Sequence, residues 1–125
     1  MGNFADMTSV VKVQKAATLT GHSSSVYTLA TSGVASFFSG SGDKVVAEWD
    51  TKNPGEGILL AKIPEIVYSL FTDTINDRLL VGQASGGVHV ISLSERKEVR
   101  LLQNHTSSIF HIGVSAKHNL LFTLA

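Results

Sequence analysis

Val26-Tyr27-Thr28-Leu29 is echoed as Val67-Tyr68-Ser69-Leu70 and again as Ile109-Phe110-His111-Ile112, 41 and then 42 residues further on. Each column keeps its character: β-branched, aromatic, polar, aliphatic. Successive side chains on a strand point to opposite faces, so such columns are what recurring strands in recurring environments require. Working outward, Phe37-Phe38 returns as Leu79-Leu80 and as Leu121-Phe122, Gly40 as Gly82, Val46 as Val88, and Trp49 as Ile91, each 42 residues apart. Leu19, Leu60 and Leu102 form a further column.

Each unit reads as four short strands. The first has them near 26–30, 36–40, 44–49 and 58–63, and the second near 66–71, 78–82, 87–92 and 97–103. The third begins with 108–113 and 119–124, and one more strand, about 10–20, precedes them all. Turn-forming residues separate the strands: Thr31-Ser32-Gly33, Ser41-Gly42-Asp43, Asn53-Pro54-Gly55, Asp73 to Asp77, and Ser85-Gly86-Gly87. No apolar period of 3.6 is sustained, so no substantial helix is expected. A period near 42 residues with four strands per unit points to a β-propeller.

Residues 19–50, from Leu19-Thr20-Gly21-His22 through Ser39-Gly40-Ser41-Gly42-Asp43 to Trp49-Asp50, closely resemble a WD repeat. Gly21-His22 matches the Gly-His pair of that family, and Trp49-Asp50 matches its Trp-Asp. The later repeats depart from the pattern. The second has Ile63 in place of the His and Ile91-Ser92 in place of Trp-Asp. The third has Asn104-His105 near its Gly-His position. The resemblance implies an all-β partial propeller of four-stranded antiparallel blades, about two and a half in this chain, within a ring that usually has seven. Residues 1–9 would be a disordered or appended lead. Residues 10–125 would be the N-terminal part of the propeller: a lead-in strand at 10–20, blades at 21–63 and 64–105, and an incomplete blade at 106–125. Seven blades need roughly 290 residues, so a complementing polypeptide with the remaining blades, the C-terminal part of the same protein, is the expected partner. Self-association is the rival.

The resemblance also implies a hydrogen-bonded relay among His22, Ser39, Asp43 and Trp49. Asp43 would accept from the imidazole, the imidazole would donate to Ser39, and Ser39 would accept from the indole. Buried imidazole and indole N–H groups need such partners. A His-Ser-Asp trio also suggests a hydrolase, but no nucleophile turn or oxyanion feature accompanies it. The role expected is structural, with no catalytic residue.

Ten basic and ten acidic residues cancel, which leaves no bulk attraction for nucleic acid or an anionic membrane. The absence of cysteine excludes disulfides and thiolate metal sites. No apolar stretch reaches the roughly 18 residues of a membrane helix, and the N-terminus has no secretory signal. A cytoplasmic location is expected. His22, His89, His105, His111 and His118 form no metal-binding spacing. Asp73, Asn76 and Asp77 lack the alternation of a calcium loop, and Gly40 to Lys44 lacks the ending of a phosphate loop. No cofactor or metal is expected. Glu95-Arg96-Lys97-Glu98 reads as an exposed hairpin tip.

The function expected is a noncatalytic protein-interaction scaffold. Candidate partner-facing residues lie in loops before each first strand: Ser23, Ser24, Glu65, Thr106 and Ser107. One alternative is a propeller enzyme or small-ligand binder that uses the central channel, where Thr28, Ser69 and His111 would stand. Another is a structural module of a larger assembly.

Overall fold

A computed structural model describes residues 21–33, 35–53, 57–103, 107–109, 111–115 and 120–124. The expected lead at 1–9 and strand at 10–20, together with Pro54, Gly55, Thr106 and the histidines at 105 and 118, lie outside the described residues.

Ten strands follow one another: β1 (Val26–Ser32), β2 (Ser36–Ser41), β3 (Val45–Asp50), β4 (Gly57–Lys62), β5 (Val67–Asp73), β6 (Arg78–Gln83), β7 (Gly87–Ser92), β8 (Lys97–Gln103), β9 (His111–Ser115) and β10 (Leu120–Leu124). They make two antiparallel meanders, β1-β2-β3-β4 and β5-β6-β7-β8, and a pair formed by β9 and β10. The described residues include no helix. The chain is therefore all-β, with two complete four-stranded blades.

Strand ends depart from the sequence reading where turns intervene. β3 begins at Val45 because Lys44 holds a left-handed φ of 66° in the turn before it. Gly86, 42 residues on, is likewise left-handed with a φ of 97°. The turn geometry thus persists while its residue changes from lysine to glycine, which has no Cβ to strain.

The pairing of β1 with β2 shifts register between Val26 and Thr28, and that of β5 with β6 shifts between Val67 and Ser69. The extra residue is a tyrosine each time. A bulge of this kind re-aims a side chain. Here it brings Tyr27 and Tyr68 together edge to face, with ring centroids 5.0 Å apart.

The core lies between blades rather than within one. Phe38, Val46, Leu60 and Ile63 of the first blade pack against Val67, Leu70, Leu79, Val81 and Ile91 of the second. On the other side of the second blade, Leu80, Val88 and Val90 meet Ile109 and Ile112. Leu79, Leu80 and Val81 are consecutive and all buried because both faces of their strand are covered. This explains why β6 reads as a continuous apolar run rather than an alternation.

Candidate functional site: a histidine-centred relay in the first blade

Antiparallel pairing places Ser39 of β2 beside Ala47 of β3, two residues before Trp49. The turn between these strands carries Asp43, and the segment entering β1 carries His22. All four relay residues converge. His22 Nδ1 lies 2.9 Å from Asp43 Oδ2. His22 Nε2 lies 2.6 Å from Ser39 Oγ. Trp49 Nε1–H donates to Ser39 Oγ at 2.7 Å. The indole is buried, with Phe37 stacked on it at a centroid distance of 6.4 Å. Gly57 flanks it so closely that a Cβ there would lie 2.8 Å from the indole, and a Cβ on Gly21 would lie 3.1 Å from it.

Proton counting corrects one detail of the sequence reading. With its proton on Nδ1, donated to Asp43, the imidazole presents a lone pair at Nε2. Ser39 then donates its hydroxyl hydrogen to His22 while accepting from Trp49. An imidazole donating to Ser39 as well would need a second ring proton.

Burial on its own would raise the pKa of Asp43. Hydrogen bonds from His22, from the Ser23 N–H and from the Ser41 hydroxyl outweigh it and hold the carboxyl below the ordinary aspartate value. The Ser23 N–H donates to Oδ2 at 3.0 Å and the Val45 N–H to Oδ1 at 3.1 Å, so Asp43 fixes the entry loop and the start of β3 together. Chemically, the arrangement is a clamp. Ser39 is buried, and its hydroxyl lies between an indole and an imidazole.

The loop residues lie at a common end of the array. Ser23 and Ser24 are exposed, Glu65 is half-buried and Ser107 is exposed. Backbone bonds from Gly42 N to Ser25 O (2.9 Å) and from Ala84 N to Ile66 O (3.0 Å) tie these loops to the β2–β3 and β6–β7 turns. Ser108 Oγ donates to Ala84 O at 2.9 Å and ties down the third loop. Thr28 of β1 is half-buried, whereas Ser69 of β5 is buried and donates to Ile109 O at 2.8 Å. The side chain of His111 lies outside the described residues.

A second network escaped the sequence reading. His89 is buried, with Nε2 2.6 Å from Gln83 Oε1 and Nδ1 bonded to the Glu98 carboxylate. Gln83 Nε2 in turn donates to Ser85 Oγ at 2.8 Å. This ties β6, β7 and β8 of the blade that lacks the His-Ser-Asp-Trp set. The available signal was the column offset, which puts His89 in the same repeat position as Ala47, on a buried face. The segment read as a hairpin tip contributes more than a tip. Glu98 holds His89, and Arg96 reaches Glu48 of the first blade at 2.9 Å. Asp73 accepts from the Asn76 side chain at 2.8 Å, as a turn does. Among the described residues, no three or more His, Asp or Glu side chains group to hold a metal ion. No helix among them is long and apolar enough to cross a membrane.

No family model matches the chain, and no curated protein matches it. Among solved structures, it is similar to the crystal structure of the WD40 β-propeller domain of Doa1, with a TM-score of 0.76 and 18% identity. The match covers 86% of this chain and 36% of that one, so the chain spans about a third of the propeller it resembles. The fold is that of WD40 propeller blades.

Proposed function

We propose that these blades belong to a noncatalytic protein-interaction scaffold, the N-terminal part of a WD-repeat propeller acting in the cytoplasm. The observation that carries this reading is the saturation of the relay. The Ser-His-Asp trio has its hydroxyl buried and hydrogen-bonded on both sides, so it stiffens a blade and leaves no nucleophile for a substrate. Rigid blades then present short loops at one end, and loops on a stiff support are where binding residues concentrate. Ser23, Ser24, Glu65 and Ser107 are the side chains assigned to partner contact.

The test is affinity capture from native lysate with the unaltered protein and with a variant carrying Ser23→Arg, Ser24→Arg, Glu65→Arg and Ser107→Arg. Loss of the captured proteins with an unchanged melting curve supports the reading. An identical set of captured proteins rejects it.

A further inference from the structure

Two histidine side chains are largely buried, one in each blade, and their partners demand different numbers of protons. His22 faces one carboxylate, that of Asp43, and one hydroxyl, that of Ser39. Ser39 already accepts from Trp49, so its single hydrogen goes to His22 Nε2 and the set is complete with a neutral ring. His89 faces acceptors on both sides. Its Nδ1 meets the Glu98 carboxylate, and its Nε2 lies 2.6 Å from Gln83 Oε1. This arrangement is complete only when the ring carries a proton on each nitrogen.

The same residues can also be satisfied with one proton fewer. The Gln83 amide carries an oxygen acceptor and a nitrogen donor of nearly the same size, so a half-turn exchanges them with little displacement. Gln83 then donates to a bare His89 Nε2, while His89 Nδ1–H stays on Glu98. Before the half-turn, Gln83 Nε2 donates to Ser85 Oγ at 2.8 Å. After it, the amide oxygen faces Ser85 instead. A hydroxyl both donates and accepts, so Ser85 follows by pointing its hydrogen inward. Gly87 makes room for the amide, since a Cβ built there would lie 2.8 Å from Gln83 Nε2. The network reaches water at both ends, because the Glu98 side chain is 46% exposed and Ser85 is exposed.

We propose that His89, Gln83 and Ser85 form a proton-operated switch, in which loss of the proton on His89 Nε2 turns the Gln83 amide over and reverses the Ser85 hydroxyl. Among the described residues, Glu98 is the one charged group that bonds to the ring. β7 carries no other charge. On the flanking strands Arg78 and Lys97 lie opposite Ser92 and Arg100 opposite Val90, and Arg96 is held by Glu48 of the first blade. The turn that the switch reaches also anchors the entries to β5 and β9, through Ala84 N to Ile66 O and Ile109 N to Gln83 O. With His89 charged, Ser85 keeps its hydrogen free to donate outward. With His89 neutral, it offers only lone pairs. The exposed turn thus carries the proton count of a buried ring to the loop face. The switch lies within the second blade and is independent of what the loops bind.

The test uses the native assembly that contains this chain, with nitrogen-15 in its histidine and glutamine side chains. The His89 and Gln83 signals are identified by their loss in His89→Asn and Gln83→Glu. Spectra are recorded from about pH 5 to about pH 8, the range in which histidine ordinarily changes charge. His89 Nε2 is expected to be protonated at the acid end and bare at the alkaline end, with Nδ1 protonated throughout. The Gln83 amide signal should shift over the same pH interval. Gln83→Glu offers oxygens only, so His89 Nε2 should keep its proton at a pH where the unaltered chain has lost it. A ring in one state throughout, a proton lost from Nδ1 instead, a change at Nε2 with no response at Gln83, or an unaltered titration in Gln83→Glu would each overturn the proposal. None of these outcomes involves captured proteins, so the switch and the scaffold reading fail separately.

Discussion

Gly40 stands so close to Val67 that a Cβ built on it would lie 2.3 Å from Val67 Cγ1, and Gly82 repeats the relationship with Ile109 one unit later, at 2.7 Å from its Cγ2. These glycines are therefore sockets, each receiving the first apolar side chain of the next blade.

Filling a socket should cost stability. Gly40→Ala and Gly82→Ala are expected to destabilise by about 1–3 kcal/mol each through overpacking. Gly113→Ala is the control, since nothing lies within 4 Å of a Cβ there. Denaturant unfolding of the three variants checks this. Equal midpoints would show that the seams relax freely.

Ser39 and Trp49 should be energetically coupled. Ser39→Ala orphans a buried indole N–H and one imidazole nitrogen, at a cost of about 1–3 kcal/mol. Trp49→Phe keeps one aromatic ring in the site and removes the same bond. The double variant should then cost less than the sum of the two, with a coupling of about 0.5–3 kcal/mol. A double-mutant cycle measured by chemical denaturation gives the number.

Acid should weaken the relay from the Asp43 side. The folded-state pKa lies below the unfolded value. Its contribution is therefore complete above the ordinary aspartate value of about 3.9 and is lost as pH falls through the folded value. Asp43→Asn should be less stable than the unaltered chain by a constant margin at neutral pH. That margin should shrink only below about pH 4. Paired unfolding curves from neutral pH into acid measure it, and a margin that closes at higher pH would assign the effect to another group.

His89→Ala should loosen the outer strand of the second blade. It removes a buried imidazole bonded on both nitrogens, which costs about 1–3 kcal/mol. Glu98→Gln should cost less than about 1 kcal/mol, because its carboxylate is nearly half exposed and screened by water. Amide hydrogen exchange along β8 checks both, with protection falling further in His89→Ala.

The strand array was legible because a repeat of 41–42 residues shows the same column three times. The relay side chains could be named because Gly21-His22 and Trp49-Asp50 bracket one repeat. What the sequence withheld depends on geometry. The direction of the Ser39 proton follows from counting hydrogens around one hydroxyl. The His89 network joins residues six and nine positions away, and only antiparallel pairing makes them neighbours. The bulges at Tyr27 and Tyr68 leave no mark in composition, since a bulge shifts register without changing residue type. The ion pair between Arg96 and Glu48 crosses from one blade to the next, so no spacing within one repeat encodes it.

Phe38 and Val46 complete a core with residues of the following blade, and Leu80 and Val88 do the same one unit on. Neither of these two apolar clusters belongs to a single sheet. The melting unit is then a junction, not a blade, and each sheet belongs to two such units at once. Loosening one sheet should therefore spread to both of its neighbours, and cutting the chain between blades should unfold more of the protein than the piece removed.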